Sequence, residues 1–252
     1  MTFVPALHSE WLKIRTLRSL LGTLLALFAA TTAFSALASA DPADPADPAE
    51  AAEGSGSGFD PLFTALSGVM PGQIAAISFG AMAVSAEFRS GALRLSLAAV
   101  PRRGRWFAAK LTAVAVPVLA VGPVTALASL VVARAGLGEA ADGLTVAQQA
   151  RGVVGCGIYL TLMALLAAGL AALLRSGVGA LSLLIPFILV VSFVIGDAAG
   201  GAVAYLPDRA GQVALHASYE GSLGPWSGLA VTALWTAAVI LAGGWRLRHR
   251  DA

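Results

Sequence analysis

Six stretches of this 252-residue chain run for about twenty residues without a single Asp, Glu, Lys, Arg or His: 19–40, 62–86, 111–133, 152–174, 176–196 and 226–245. A helix needs about 20 mostly apolar residues to cross a hydrocarbon core of roughly 30 Å. Backbone polar groups in lipid must also be satisfied internally, which leaves only helices and closed barrels. The stretches are rich in Ala and Leu and lack the alternation of barrel strands. The sequence therefore predicts an all-α, polytopic membrane protein with six transmembrane helices. Composition agrees: 58% of residues are hydrophobic, 12% are charged and the mean hydropathy is +0.81. A soluble domain carries about twice that charge.

The cations orient the spans. With the N-terminus inside, 13 Lys and Arg fall on inner segments, and only Arg134, Arg151 and Arg209 fall on outer ones. This asymmetry predicts an N-in/C-in topology. The first span also has the outline of a secretory signal, with Lys13, Arg15 and Arg18 before it and Ala38-Ser39-Ala40 at its end. Its apolar run exceeds the 7–15 residues usual for a signal, which favours a retained anchor.

The connecting segments differ in kind. Residues 1–18 place Val4, Leu7, Trp11 and Ile14 on one helical face and Glu10, Lys13, Arg15 and Arg18 elsewhere. That pattern predicts an amphipathic helix in the cytoplasmic interface, anchored by Trp11. The outer loop 41–60 repeats Asp-Pro-Ala three times before a Gly-Ser run, and its carboxylates lack calcium-loop spacing, so it reads as a solvated tether. Residues 87–110 hold six of the sixteen cations around an apolar centre, with Leu93, Leu97 and Val100 on one face of a short helix ended by Pro101. Such an element suits docking, into a partner or onto the membrane surface. The semi-apolar outer segment 197–225 fits either a surface loop or a re-entrant hairpin.

Chemistry is absent from the predicted spans. Without intramembrane charge there is no sign of an ion path or proton relay. There is no His-Glu-x-x-His and no phosphate-binding Gly-x-x-x-x-Gly-Lys-Ser/Thr. The lone Cys156 lies in an apolar stretch. His216, Asp208 and Tyr219 are the only grouping with the chemistry a lipid-modifying enzyme needs, and a thin one. No enzymatic site, bound metal or cofactor is expected in this chain, and no nucleic acid partner. What the spans do contain is packing hardware: Gly68, Gly72, Ala76 and Gly80 recur every four residues, a stripe on which another helix, of this subunit or a second, can approach closely. Pro71, Pro117, Pro123 and Pro186 add kinks.

Two pieces, Ser9-Glu10-Trp11-Leu12-Lys13-Ile14-Arg15-Thr16-Leu17-Arg18-Ser19 and Ser85-Ala86-Glu87-Phe88-Arg89-Ser90-Gly91 continuing through Leu97-Ala98-Ala99-Val100-Pro101-Arg102-Arg103-Gly104-Arg105 to Lys110, together with the six-span layout, resemble the permease subunit of type-2 ATP-binding-cassette (ABC) transporters of actinobacterial type. Ala92 stands where that family often has Thr, and the Asp-Pro-Ala loop is not a family feature. The resemblance implies a multi-pass subunit of the bacterial plasma membrane, working as a homodimer or with a related permease. It implies two copies of a separate cytoplasmic ATPase that hold ATP and Mg. It implies export of an amphipathic, peptide or lipid-like substrate, with membrane lipid around it. In that frame Leu7, Trp11, Ile14, Arg15 and Arg18 belong to the interfacial elbow helix. Glu87, Phe88, Arg89, Arg94, Leu97, Arg102, Arg103 and Arg105 belong to the ATPase-coupling element. A non-transporting membrane scaffold or immunity protein is the alternative from another class.

Overall fold

The computed structural model describes residues 3–40, 60–89, 103–191, 200–218 and 221–249. All elements among the described residues are helical. In chain order they are α1 (Phe3–Thr16), α2 (Arg18–Ala40), α3 (Pro61–Leu66), α4 (Val69–Arg89), α5 (Arg103–Leu137), α6 (Glu139–Asp142), α7 (Val146–Leu174), α8 (Gly177–Pro186, prolonged by a π turn over Phe187–Val191), α9 (Pro207–Gln212) and α10 (Pro225–His249). Short 3-10 turns at Gly200–Tyr205 and Val213–Leu215 flank α9.

Five helical segments are long and apolar enough to cross a membrane: Arg18–Ala40, Pro61–Phe88, Arg103–Leu137, Val146–Leu174 and Pro225–His249. The sixth expected span appears among the described residues only as the apolar helix Gly177–Val190. That described part is about 21 Å long at 1.5 Å per residue, and residues 192–196 of the expected span lie outside the described residues.

Local sequence sets the helix ends. Asp60 caps α3, accepting from the amides of Leu62 and Phe63 at 3.0 Å, with Pro61 in the first turn where its missing N–H is harmless. Thr145 and Gln148 form a reciprocal capping box at the start of α7. Arg175 ends α7 in the left-handed region (φ 55°), and Ser176 caps the next helix through Gly179 N, so two residues suffice to turn the chain back. Pro186 lies inside α8, just before the π turn.

The centre of the bundle is α7. Two thirds of its span is buried (67%), against 28% for α2 and α10, and it packs on α4, α5 and α10. Small residues allow this. A Cβ on Gly80 would lie 1.9 Å from the Ala164 carbonyl oxygen of α7, and one on Gly68 1.8 Å from the Thr31 oxygen of α2. Gly72 also faces Thr31, and Ala76 is fully buried. The small-residue stripe thus serves two seams inside one subunit, towards α2 at its start and towards α7 at its end. α1 and the close of α10 both meet the start of α5: Lys110 donates to Glu10 Oε2 and Arg103 to Leu247 O.

Candidate functional site

The end of the bundle that gathers α1, the close of α4 and the start of α5 also gathers four charged side chains. Lys110 Nζ donates to Glu10 Oε2 at 2.5 Å and to Glu87 Oε1 at 2.8 Å. Lys13 Nζ donates to Glu10 Oε1 and to the same Glu87 oxygen, each at 2.8 Å. Glu10, Glu87 and Lys110 are only 2–4% exposed. Two carboxylates and two ammonium groups make a neutral quartet, the condition under which charges tolerate burial. Lys13 sits at its rim. Burial would depress its pKa, but hydrogen bonds and charge from Glu10 and Glu87 more than offset this and hold the ammonium above its ordinary value.

The quartet places Glu10 on an inward stripe of α1 with Ala6 and Ile14, all three buried, while Val4 is 71% exposed. The helices run on past the uncharged stretches: Glu87 lies within α4 and Lys110 two turns inside α5, both covered by protein. The reason is mutual neutralisation, which spacing along one segment cannot reveal.

Other expected residues are placed as follows. Ile14 is buried, Leu7 and Trp11 are half-buried, and Arg15 and Arg18 are exposed. Phe88 packs against the core. Arg103 Nη1 donates to Leu247 O at 2.9 Å, tying α5 to the end of α10, and Arg105 is exposed. Arg89 ends α4, and its side chain lies outside the described residues, as do Arg94, Leu97, Arg102 and the expected short helix around them. Most of loop 41–60 also lies outside the description. Arg246 Nη1 donates to Leu173 O at 2.6 Å, so a guanidinium covers a carbonyl at the end of α7.

The opposite end carries a second polar assembly. The segment around α9 enters the bundle: Pro207, Asp208 and 210–215 are buried. Gly211 lies against the Tyr159 ring, Thr232 Oγ1 donates to Pro207 O at 2.7 Å, and Tyr159 Oη bonds both Gln73 Oε1 and Gln212 Nε2. Where the segment leaves, Asp60 accepts from Ala217 N at 2.9 Å and meets His216 Nδ1 at 3.1 Å. Arg151 donates to the Ala217 carbonyl at 2.8 Å, and Phe63 stacks on His216 at 4.3 Å. Burial would raise the Asp60 pKa, but the bonds from His216, Phe63 N and Ala217 N outweigh it and hold the carboxyl below its ordinary value. His216 belongs to this assembly, Asp208 is buried, and Tyr219 is outside the described residues. Among the described residues no group of three His, Cys, Asp or Glu is placed to hold a metal ion.

Compared with known proteins, the chain matches no family model and no curated sequence.

Proposed function

We propose that this chain is the membrane-spanning permease subunit of a type-2 ABC transporter, with six spans, both termini cytoplasmic, and its work done by a separate pair of ATPase subunits. The observation that supports this most directly is the Glu10–Lys13–Glu87–Lys110 quartet. It ties the N-terminal helix to both edges of the cation-rich segment 87–110, Glu87 at its start and Lys110 at its end. A force on that segment therefore reaches α1, α4 and α5 together instead of being absorbed by one flexible loop.

In this reading ATP closes the two partner ATPases, the segment is pushed, and α4 and α5 tilt as a unit. Pro117 and Pro123 inside α5 supply bending points. Access then changes in a cavity between this subunit and a second permease, at the end where the α9 segment enters the bundle. The α9 segment plays the part of a re-entrant outer element, and the cargo is amphipathic, peptide or lipid-like and moves outward across the bacterial plasma membrane. ATP and Mg belong to the ATPase, and this chain supplies no catalytic group.

Purification from native membranes tests the proposal. An ATPase should copurify, and its ATP turnover should rise in the presence of this subunit. Arg89→Glu combined with Arg94→Glu should break both effects while the membrane subunit stays folded. Absence of any associated ATPase would favour a scaffold or immunity role and end the transporter reading.

A further inference from the structure

Helix α10 carries its own ruler for the membrane. Trp226 and Trp245 are 56% and 65% exposed, and they are 19 residues apart. At 1.5 Å per residue that is about 28 Å, close to the thickness of a hydrocarbon core. Between them Leu234 and Leu241 are about 70% exposed, so this face meets acyl chains. Tryptophan collects at both membrane–water boundaries. Trp245 therefore marks one boundary, and a residue one turn further stands about 4–5 Å beyond it, at the level of lipid phosphate.

That residue is Arg248, and it is exposed. Two neighbouring guanidiniums are already engaged with carbonyls, Arg103 with Leu247 and Arg246 with Leu173. Among the described residues Arg248 has no carboxylate within ion-pair distance. Its guanidinium lies over Gly104: a Cβ there would come within 2.9 Å of Nη2. His249 sits beside Trp245, ring centroids 4.9 Å apart. Apolar side chains, a boundary tryptophan and then the Arg248 cation, in that order along α10, repeat the order of parts in an anionic phospholipid: acyl chain, glycerol, phosphate.

We infer that the Trp245–Arg248 patch is a binding site for an anionic phospholipid of the leaflet on the charge-rich side. The phosphodiester pairs with Arg248, and the acyl chains lie along Leu241 and Leu234. This holds whether or not the chain transports anything. It needs only that α10 spans the bilayer.

The test uses the full chain in lipid nanodiscs of phosphatidylcholine doped with a brominated lipid, either phosphatidylglycerol or phosphatidylcholine, at equal fraction. The signal is the quenched tryptophan fluorescence that is lost in Trp245→Phe. Brominated phosphatidylglycerol should quench this component more strongly. Arg248→Gln should cut that preference about five-fold, the effect of one cation at an anionic surface, and Arg134→Gln at the opposite end should leave it intact. A folded Arg248→Gln protein with undiminished preference overturns the inference. So does abolition of the preference by millimolar inorganic phosphate at constant ionic strength, which would mean a site for free anions. If Arg248→Gln instead removes a bound protein partner and leaves quenching unchanged, the patch is a protein contact and the lipid site is refuted.

Discussion

Removing one ammonium group from the buried quartet should cost more than any surface charge on this chain. Lys110→Met keeps the length and shape of the stem but leaves Glu10 and Glu87 facing each other with only Lys13 between them. Both carboxylates are at most 4% exposed, and Lys110 reaches each of them at 2.5–2.8 Å. Glu87 Oε2 is already buried without a hydrogen-bond partner among the described residues, so it has no second donor to fall back on. Breaking a buried ion pair by deleting one partner costs about 3–5 kcal/mol. For a chain of this size each kcal/mol moves the melting temperature by about 2–4 °C, so Lys110→Met should melt roughly 6–20 °C lower. Lys13→Met removes the same charge from a side chain 36% exposed, where water screens the loss, and should cost only about 1 kcal/mol or less. Lys110→Met with Glu87→Gln restores neutrality around the Glu10–Lys13 pair and should recover about 1–3 kcal/mol through coupling. Thermal unfolding in one detergent, followed by tryptophan fluorescence and by aggregation, reads all three. Equal losses for Lys110→Met and Lys13→Met, or no recovery in the double variant, would refute the claim that a desolvated quartet holds this end together.

Other expectations follow the same logic. Gly68→Ala and Gly80→Ala each force a methyl against a backbone oxygen less than 2 Å away and should lose about 1–3 kcal/mol, whereas Gly22→Ala meets nothing within 4 Å and should be neutral or gain up to about 1 kcal/mol; melting curves of the three separate the cases. Lys13 has its pKa raised in the folded state, so its contribution is present below its ordinary value of 10.5 and fades as pH climbs through the raised one; α1 should loosen only in strong alkali, seen as faster proteolysis near Arg15. Asp60 is shifted the other way: its contribution is present above its ordinary value of 3.8 and is lost as pH falls through the lowered one, so hydrogen exchange at the Ala217 amide should accelerate only in acid. Asp60→Ala removes a helix cap and the grip on 216–217 together, and should cost about 1–2 kcal/mol with that same amide exchanging fast at neutral pH.

Much of this architecture could be read from the amino-acid order. Charge-free stretches and the Gly68–Gly80 spacing gave helices, approximate ends and a close-packed seam, because membrane burial acts on each segment alone. The partition of cations is visible in space as well: Lys13, Arg103 and Arg246 cluster at one end of the bundle, and Arg151 and Arg209 at the other. The quartet was not legible, because its logic is tertiary. Glu10 looks like a polar-face residue until Lys110, a hundred positions away, is placed beside it. The nearest hint was that Ala6, Glu10 and Ile14 share one helical stripe, a carboxylate at an inward position. A re-entrant hairpin was one of two readings open for 197–225, but nothing in the sequence singled it out. Tyr159 and Gln73 read as isolated polar residues in apolar helices, and only Gln212 reveals them as two sides of a socket. Of the expected span 176–196 the description reaches Val191, passing through Pro186, and its remaining residues lie outside the described ones.

The hundred-residue separation between Glu10 and Lys110 has a consequence for biosynthesis. Ribosomes add about 5–20 residues per second, so the N-terminal helix waits roughly 5–20 s after its emergence before its lysine partner exists. During that interval Glu10 has only Lys13 nearby and no protein cover, so α1 must stay wet and undocked. Its seating is then a checkpoint that closes only after the α4–α5 hairpin has inserted, and nascent chains stopped short of Lys110 should present α1 to a protease that the finished molecule resists.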